Sequence, residues 1–283
     1  MVLQLNVAAI LAVASRTAWK RAKPVIVRDA FLLPLVGFLG VIVVWWIIAL
    51  ANHELMPTPP EALAANLDYI LNPFFQRGPG NLGIGWLLIA SIRRVLLGFT
   101  LGALVAIPVG FLIGMSRTAM MILNPVIQIF KPVSPLAWLP IALAIFNLAD
   151  PSAIFVIFIT SLWPTIINTA LGVSSVSKDY IDVARVLEMP AWRRITKIIW
   201  PASLPYIFTG LRISIGIAWL VIVAVEMLTG GIGIGFFVWD EWSRLNLNSV
   251  FLAVLVIGLT GLLLDYAIGR IQAFVTRRPV TSN

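Results

Sequence analysis

Long uncharged apolar runs dominate the chain, and polar residues are confined to the stretches between them. A helix needs about 20 consecutive apolar residues to cross the hydrocarbon core of a bilayer. Residues 31–51 form such a run without a charge, and residues 95–115 form a second. Residues 118–148 are interrupted by Pro125, Lys131, Pro132 and Pro135, which predicts one broken span. Residues 152–172, 204–228 and 245–264 give three more, the first of the last two carrying Arg212 and Glu226. The pattern predicts an all-α integral membrane protein of six transmembrane helices.

The basic residues orient these spans. Arg16, Lys20, Arg21, Lys23 and Arg28 precede the first run. With that end in the cytoplasm, alternation puts Arg117, Lys178, Arg185, Arg193, Arg194, Lys197, Arg270, Arg277 and Arg278 inside. Only Arg77 and Arg244 fall outside, beside Glu54, Glu61, Asp68, Asp150, Asp240 and Glu241. A positive-inside bias of this kind predicts a multi-pass plasma-membrane protein with both termini cytoplasmic. Residues 7–14 resemble the apolar core of a signal peptide, but the basic cluster follows them instead of preceding them. They are expected to form part of a cytoplasmic interfacial segment over residues 1–30. Residues 31–88 would then hold the first transmembrane helix and an outer loop, residues 89–272 the core, and residues 273–283 a cytoplasmic tail.

Composition agrees. Apolar residues make up 60% of the chain and charged residues 11%, and the mean hydropathy is +0.99. A soluble surface needs roughly 25–35% charged residues. The net charge of +8 would suggest nucleic acid in a soluble protein, yet the Lys and Arg residues form no stripe with interleaved aromatics. Membrane lipid, and not nucleic acid, is the expected surroundings. With no Cys, thiolate chemistry is excluded; with one His, His53, His metal clusters and Ser-His triads are not expected, and no cofactor is expected.

Ionisable residues inside a span cost roughly 2.5–3.5 kcal/mol on insertion scales and need a reason. Lys131 stands at the proline-broken point, with Ser134 beside it; a cation there suits passage of a small anion, or it snorkels or pairs with a carboxylate. Glu226 is grouped with these two along a translocation pathway. Its charge would repel an anion, so it reads as paired with a base or neutralised by burial. Arg212 is expected to snorkel, and Arg93 and Arg94 to sit at the outer start of the second span as headgroup anchors or anion attractors. Gly98 with Gly102 and Gly110 with Gly114 make two small-residue faces suited to close packing within the chain.

The loop between residues 172 and 204 is far longer than a turn needs. Tyr180, Val183, Ala184 and Leu187 recur at helical spacing, so one face is apolar. Asp179, Asp182 and Arg185 occupy the others, and Asp179 suits a helix N-terminus. Pro190 would start a second helix over residues 191–200, which Pro201 ends. Such a protruding helix lies either on lipid or in a groove of another protein.

Asp182-Val183-Ala184, Glu188 and Ile198-Ile199-Trp200-Pro201 resemble the EAA loop of ABC importer permeases: Glu-Ala-Ala, three residues, Gly, nine residues, Ile, any residue, Leu-Pro. Residues 94–99, 108–117 and 131–140 are similar to the same family. Residues 205–227 and 229–242 resemble its nitrate, bicarbonate, sulfonate and taurine branch, and residues 226–240 look most like nitrate permeases. The resemblance implies a type I importer permease fold in which Tyr180, Asp182, Val183, Ala184, Leu187 and Glu188 couple to ATP-binding subunits. It also implies a second permease copy and an external solute-binding protein. The chain lacks the G-x-x-x-x-G-K-[ST] phosphate loop, so it would be no enzyme itself, and Gly231, Gly233 and Gly235 read as an external loop.

Asp182, Val183 and Glu188 depart from the pattern. Glycine tolerates a left-handed turn and glutamate does so at a cost, so the turn is expected to be built differently, with Pro190 restarting the chain. Nitrate or nitrite is the expected cargo, with bicarbonate, cyanate and sulfonates or taurine as alternatives. A stand-alone secondary anion transporter would have no use for a coupling helix, and an intramembrane enzyme would need a carboxylate pair that the chain does not supply.

Overall fold

The computed structural model describes residues 33, 35–52, 56–78 and 80–276. The expected interfacial N-terminal segment and the end of the tail lie outside them. Two units can be distinguished, residues 1–64 and 65–283.

In the first unit, helix α1 (Leu35–Ala51) is apolar, with Val36, Leu39, Val43, Ile47 and Leu50 all exposed. Trp45 Nε1 donates to Pro57 O at 3.1 Å. Helix α2 (Pro59–Ala65) begins on Thr58, whose N–H donates to Glu61 Oε2 at 2.8 Å, the return half of a capping box.

The second unit opens with the short α3 (Leu67–Leu71) and continues with α4 (Ile84–Met115), α5 (Arg117–Phe130), a 3₁₀ turn (Pro135–Trp138) and α6 (Leu139–Phe146). Next come α7 (Ala149–Ser174), α8 (Lys178–Val186), α9 (Ala191–Arg194), a π segment (Ile195–Ile199), α10 (Trp200–Thr229), α11 (Ile234–Ser243) and α12 (Leu247–Thr276).

Six spans are not what the described residues form. Four helices are long and apolar enough to cross a membrane: α4, α7, Ala191–Thr229 and α12. A fifth arises if α5 and Pro135–Phe146 count as one span, and these are bent by 94°. The bend follows from Pro132 and Pro135, which lack the N–H that would continue the ladder. The first expected span corresponds to α1, whose 17 residues reach about 25 Å at 1.5 Å each, short of the roughly 30 Å core.

Two further expectations change. The second span begins at Ile84, so Arg93 and Arg94 lie within it and not at its start. The helix expected to end at Pro201 instead runs on into α10. Pro201 falls in the first turn of α10 just after the π segment, where Trp200 N–H reaches back five residues to Ile195 O. A proline costs little where the hydrogen-bond register is already shifting.

The core is α4, α7 and α10. All four glycines of the two predicted faces lie against α7, which bears out packing within the chain. A Cβ on Gly98 would come within 2.7 Å of Ile157 Cβ, on Gly102 within 3.0 Å of Ser161 Cβ, and on Gly110 and Gly114 within 2.6 Å of Thr169 and Val173 Cβ. Helix backbones in lipid approach this closely only through small residues. Between α7 and α10, Gly210 packs on Asn168, and the Thr165 and Ser214 hydroxyls share a hydrogen bond at 2.8 Å. Helix α12 is tied on by Trp219 Nε1 donating to Ile257 O at 3.0 Å, and by Arg212 pairing with Asp265 through Nε at 2.9 Å and Nη2 at 2.6 Å. Arg212 is therefore paired across helices and does not merely snorkel.

Candidate functional site

At one end of the bundle α8 protrudes. Ser177 caps it, its Oγ accepting from Asp179 N–H at 3.3 Å, and Asp179 stands in the first turn. Arg185 Nη1 reaches Asp182 Oδ1 at 3.0 Å. Of the predicted apolar face, Ala184 is turned into the bundle at 1% exposure, whereas Tyr180, Val183 and Leu187 are 66%, 58% and 68% exposed. Nothing in this chain covers those three side chains among the described residues.

The turn after α8 is not rebuilt around the missing glycine. Glu188 itself takes the left-handed conformation, φ +51°. Met189 N–H donates to Ala184 O at 2.9 Å and Glu188 N–H to Arg185 O at 2.9 Å, the paired bonds of a Schellman cap. A Cβ-bearing residue pays roughly 1–2 kcal/mol for that conformation. The backbone keeps the turn that glycine would favour and carries the strain.

Near the break between α5 and α6, Lys131 caps α5, its N–H donating to Ile127 O at 2.9 Å, and its side chain is exposed. Ser134 is extended (φ −55°, ψ 132°), as a residue before proline should be. Lys131 and Ser134 line one groove of about 490 Å³ with Thr160, Trp163 and Asn168 of α7. Lys131 also borders a smaller groove of about 280 Å³ with Asn124 and Gln128. Among the described residues Lys131 joins no ion pair, so the expected alternative of a carboxylate partner finds none there.

Glu226 lies elsewhere, buried at the opposite end from α8. Its Oε1 accepts from Arg94 Nη1 at 2.7 Å, and its Oε2 accepts from Ser91 Oγ at 2.8 Å and Gly235 N–H at 3.0 Å. Arg94 continues outward: Nε and Nη2 donate to Asp150 Oδ1 at 2.9 and 2.6 Å, and Nη1 to Ile232 O at 2.6 Å. Ser91 Oγ accepts from Ile234 N–H at 3.0 Å. This cluster fastens α4, α7, α10 and α11 together. It also explains the glycine-rich loop: a Cβ on Gly233 would strike the Glu226 carboxylate, and one on Gly235 the Val223 carbonyl. Glu226 is paired with a base, as one reading of the sequence held, and it does not line the grooves of Lys131 and Ser134. The residues that sequence reading missed here are Arg94 and Asp150. No signal in the sequence singled them out, since Lys131 and Arg212 are equally basic within the expected spans and Arg94 read as lying ahead of one.

The described residues thus form a bundle of membrane-length helices with a proline-broken segment packed on α7 and an amphipathic helix standing off one end. The chain belongs to the family of binding-protein-dependent transport system inner membrane components, whose pattern matches residues 98–280. It is 45% identical over 242 residues to the nitrate import permease protein NrtB of a Synechocystis species, covering 86% of this chain and 88% of that one. It is 44% identical over 252 residues to the bicarbonate transport system permease protein CmpB of Synechococcus elongatus, covering 88% and 91%. Its fold is similar to that of a chain in an inward-facing structure of the MetNI methionine ABC transporter, with a TM-score of 0.60 at 15% identity over 66% of this chain and 94% of that one. The chain is thus the permease component of an ABC importer. Family membership implies separate ATP-binding subunits, a second permease copy and a solute-binding protein.

Proposed function

We propose that this permease carries a small inorganic anion, nitrate or bicarbonate, past Lys131 and Ser134 and into the cytoplasm. The observation that carries the reading is Lys131: a cation at a helix break, facing a groove of about 490 Å³ and outside any ion pair among the described residues. Broken helices in membranes are tolerated where they meet protein or a watery cavity. Nitrate is planar, weakly hydrated and holds its charge near neutral pH, so one cation and a few hydroxyl or amide donors suffice for a weak, transient hold. Bicarbonate is the second reading because the identity to a bicarbonate permease nearly equals that to a nitrate permease.

The α8 end faces the cytoplasm in this reading. Its support is the count of basic residues, Arg117, Lys178, Arg185, Arg193, Arg194, Lys197 and Arg270 at that end against Arg77, Arg93, Arg94 and Arg244 at the other among the described residues. Tyr180, Val183 and Leu187 would dock in a groove of the ATP-binding subunit, with Asp182, Ala184 and Glu188 shaping the helix and its turn. Glu226 would hold the outer end together without touching the cargo.

The test is uptake of isotopically labelled nitrate and bicarbonate by proteoliposomes holding the whole complex and its binding protein. Lys131→Ala should lower uptake of the true cargo by about tenfold, the value of one charged contact, with basal ATP hydrolysis retained. Lys131→Arg should keep part of it. Unchanged uptake in Lys131→Ala would remove the cation from the pathway.

A further inference from the structure

A cavity of about 410 Å³ opens at the α8 end, between the last turns of α4 and α7, α8 itself and the Ala191–Ile199 stretch. Its apolar lining is mostly covered: Val173 and Ile199 are buried and Ile198 is half-buried, while Met115 and Ala191 are exposed. Its charged lining is wholly basic. Lys178 and Arg185 are exposed, Arg194 is half-exposed, and no carboxylate lines the cavity. Arg185 already reaches Asp182; Lys178 and Arg194 join no ion pair among the described residues.

The depth of the cavity relative to a bilayer is marked independently. Trp192 and Trp200 are both exposed on the helix that forms its wall, and Trp200 stacks on Phe111 at 5.3 Å. Exposed tryptophans on a membrane helix belong at headgroup level. Apolar walls below a basic rim at that level discriminate among occupants. A free anion gains from the cations and nothing from the isoleucines. A neutral lipid gains the reverse. An anionic amphiphile satisfies both.

We propose that this cavity binds an anionic phospholipid, its phosphate between Lys178 and Arg194 and the upper part of its acyl chains against Val173 and Ile198. The lipid bridges α8 to the helix that becomes α10, and so fixes how α8 stands off the bundle. The site is the same whichever anion is carried, so its failure leaves the proposed cargo and pathway untouched.

Native mass spectrometry of the complete, delipidated complex tests this, with titration by phosphatidylglycerol, phosphatidylcholine or inorganic phosphate. Phosphatidylglycerol should bind more tightly than phosphatidylcholine. Lys178→Gln with Arg194→Gln should weaken it on the order of tenfold. Arg193→Gln with Lys197→Gln removes the same amount of charge from the Ala191–Ile199 stretch but outside the cavity, and should leave binding unchanged. Equal loss in both pairs would mean diffuse surface attraction and would overturn the site. Displacement of the lipid by millimolar inorganic phosphate would make it a free-anion site and overturn it too. The same spectra report assembly. Should the first pair fall apart, Ile198→Trp fills the cavity with its charges intact, and retention of the lipid by that variant would contradict the proposal.

Discussion

The two ends of the helix bundle solve opposite problems. At the Glu226 end the charges of one cluster answer each other within the chain: Glu226, Arg94, Asp150 and Arg93 form one chain of ion pairs closed by Ser91 and the glycine loop. At the α8 end apolar and basic side chains stand uncovered, and the turn beside them keeps a strained Glu188. The charged cluster at the first end is complete within a single chain. The second has the composition of a surface awaiting partners, with an aromatic and two aliphatic side chains at helical spacing where solvent would favour polar ones. Substitutions at the first end should therefore damage the permease itself, and substitutions at the second should damage only what it joins.

The largest effect is expected from Glu226→Ala. Removing Glu226 takes from buried Arg94 its one buried carboxylate and leaves it the half-exposed Asp150, so the cost should reach at most about 3–5 kcal/mol, that of a broken buried pair. The assembled permease should lose thermal stability heavily, with Glu226→Gln milder because it can still accept from Ser91 and Gly235. A melting temperature unchanged by Glu226→Ala would show the cluster to be dispensable. Leu187→Asp makes the contrasting case. The side chain is exposed here, so the permease alone should melt as before, while a charge pressed into a partner's groove costs several kcal/mol. Pull-down of the ATP-binding subunits should fall sharply, and normal pull-down would argue that this face rests on lipid. Gly110→Val comes next. Its new atoms meet Thr169 Cβ and Ile166 O, and over-packing of this kind costs about 1–3 kcal/mol, read as a lower melting temperature with assembly otherwise intact. The smallest effect has the opposite sign. Glu188→Gly should relieve the left-handed strain and stabilise the turn by about 1 kcal/mol after glycine's own entropy cost, detectable as slower hydrogen exchange at Met189. Faster exchange there would mean that the glutamate side chain holds the turn.

Hydropathy and the helical spacing of residues 180–187 made much of this legible. The proline-broken segment, the glycine faces against α7 and the protruding α8 all follow from local pattern. What escaped depended on distance or on register. Arg94 and Glu226 lie 132 positions apart in the chain, so no window along the sequence could pair them, and the two adjacent arginines made the second span look as if it began after them. Pro201 looked like a helix end because a one-residue change of register cannot be seen in composition. Of the first apolar run, residues 31, 32 and 34 lie outside the described residues, and Leu35–Ala51 alone falls short of the length rule. The Glu188 turn shows how far a substitution misleads: the residue type argued for a different turn, but the bonds from Met189 and Glu188 back to α8 held the backbone in the glycine-like shape.

The central claim is that α8 presents its uncovered face to the ATP-binding subunits while the Glu226 end faces the other side of the membrane. The chain has no cysteine, so one introduced thiol reports one place. Val183→Cys, on the uncovered face of α8, and Trp239→Cys, exposed on α11 near the Glu226 end, should be compared in intact cells and in the purified complex. Val183→Cys should cross-link to an ATP-binding subunit and be shielded from an impermeant thiol reagent added outside. Trp239→Cys should react with that reagent and cross-link to no ATP-binding subunit. The reverse pattern, with Trp239→Cys joined to the ATP-binding subunit or Val183→Cys labelled from outside, would contradict both the docking face and the orientation.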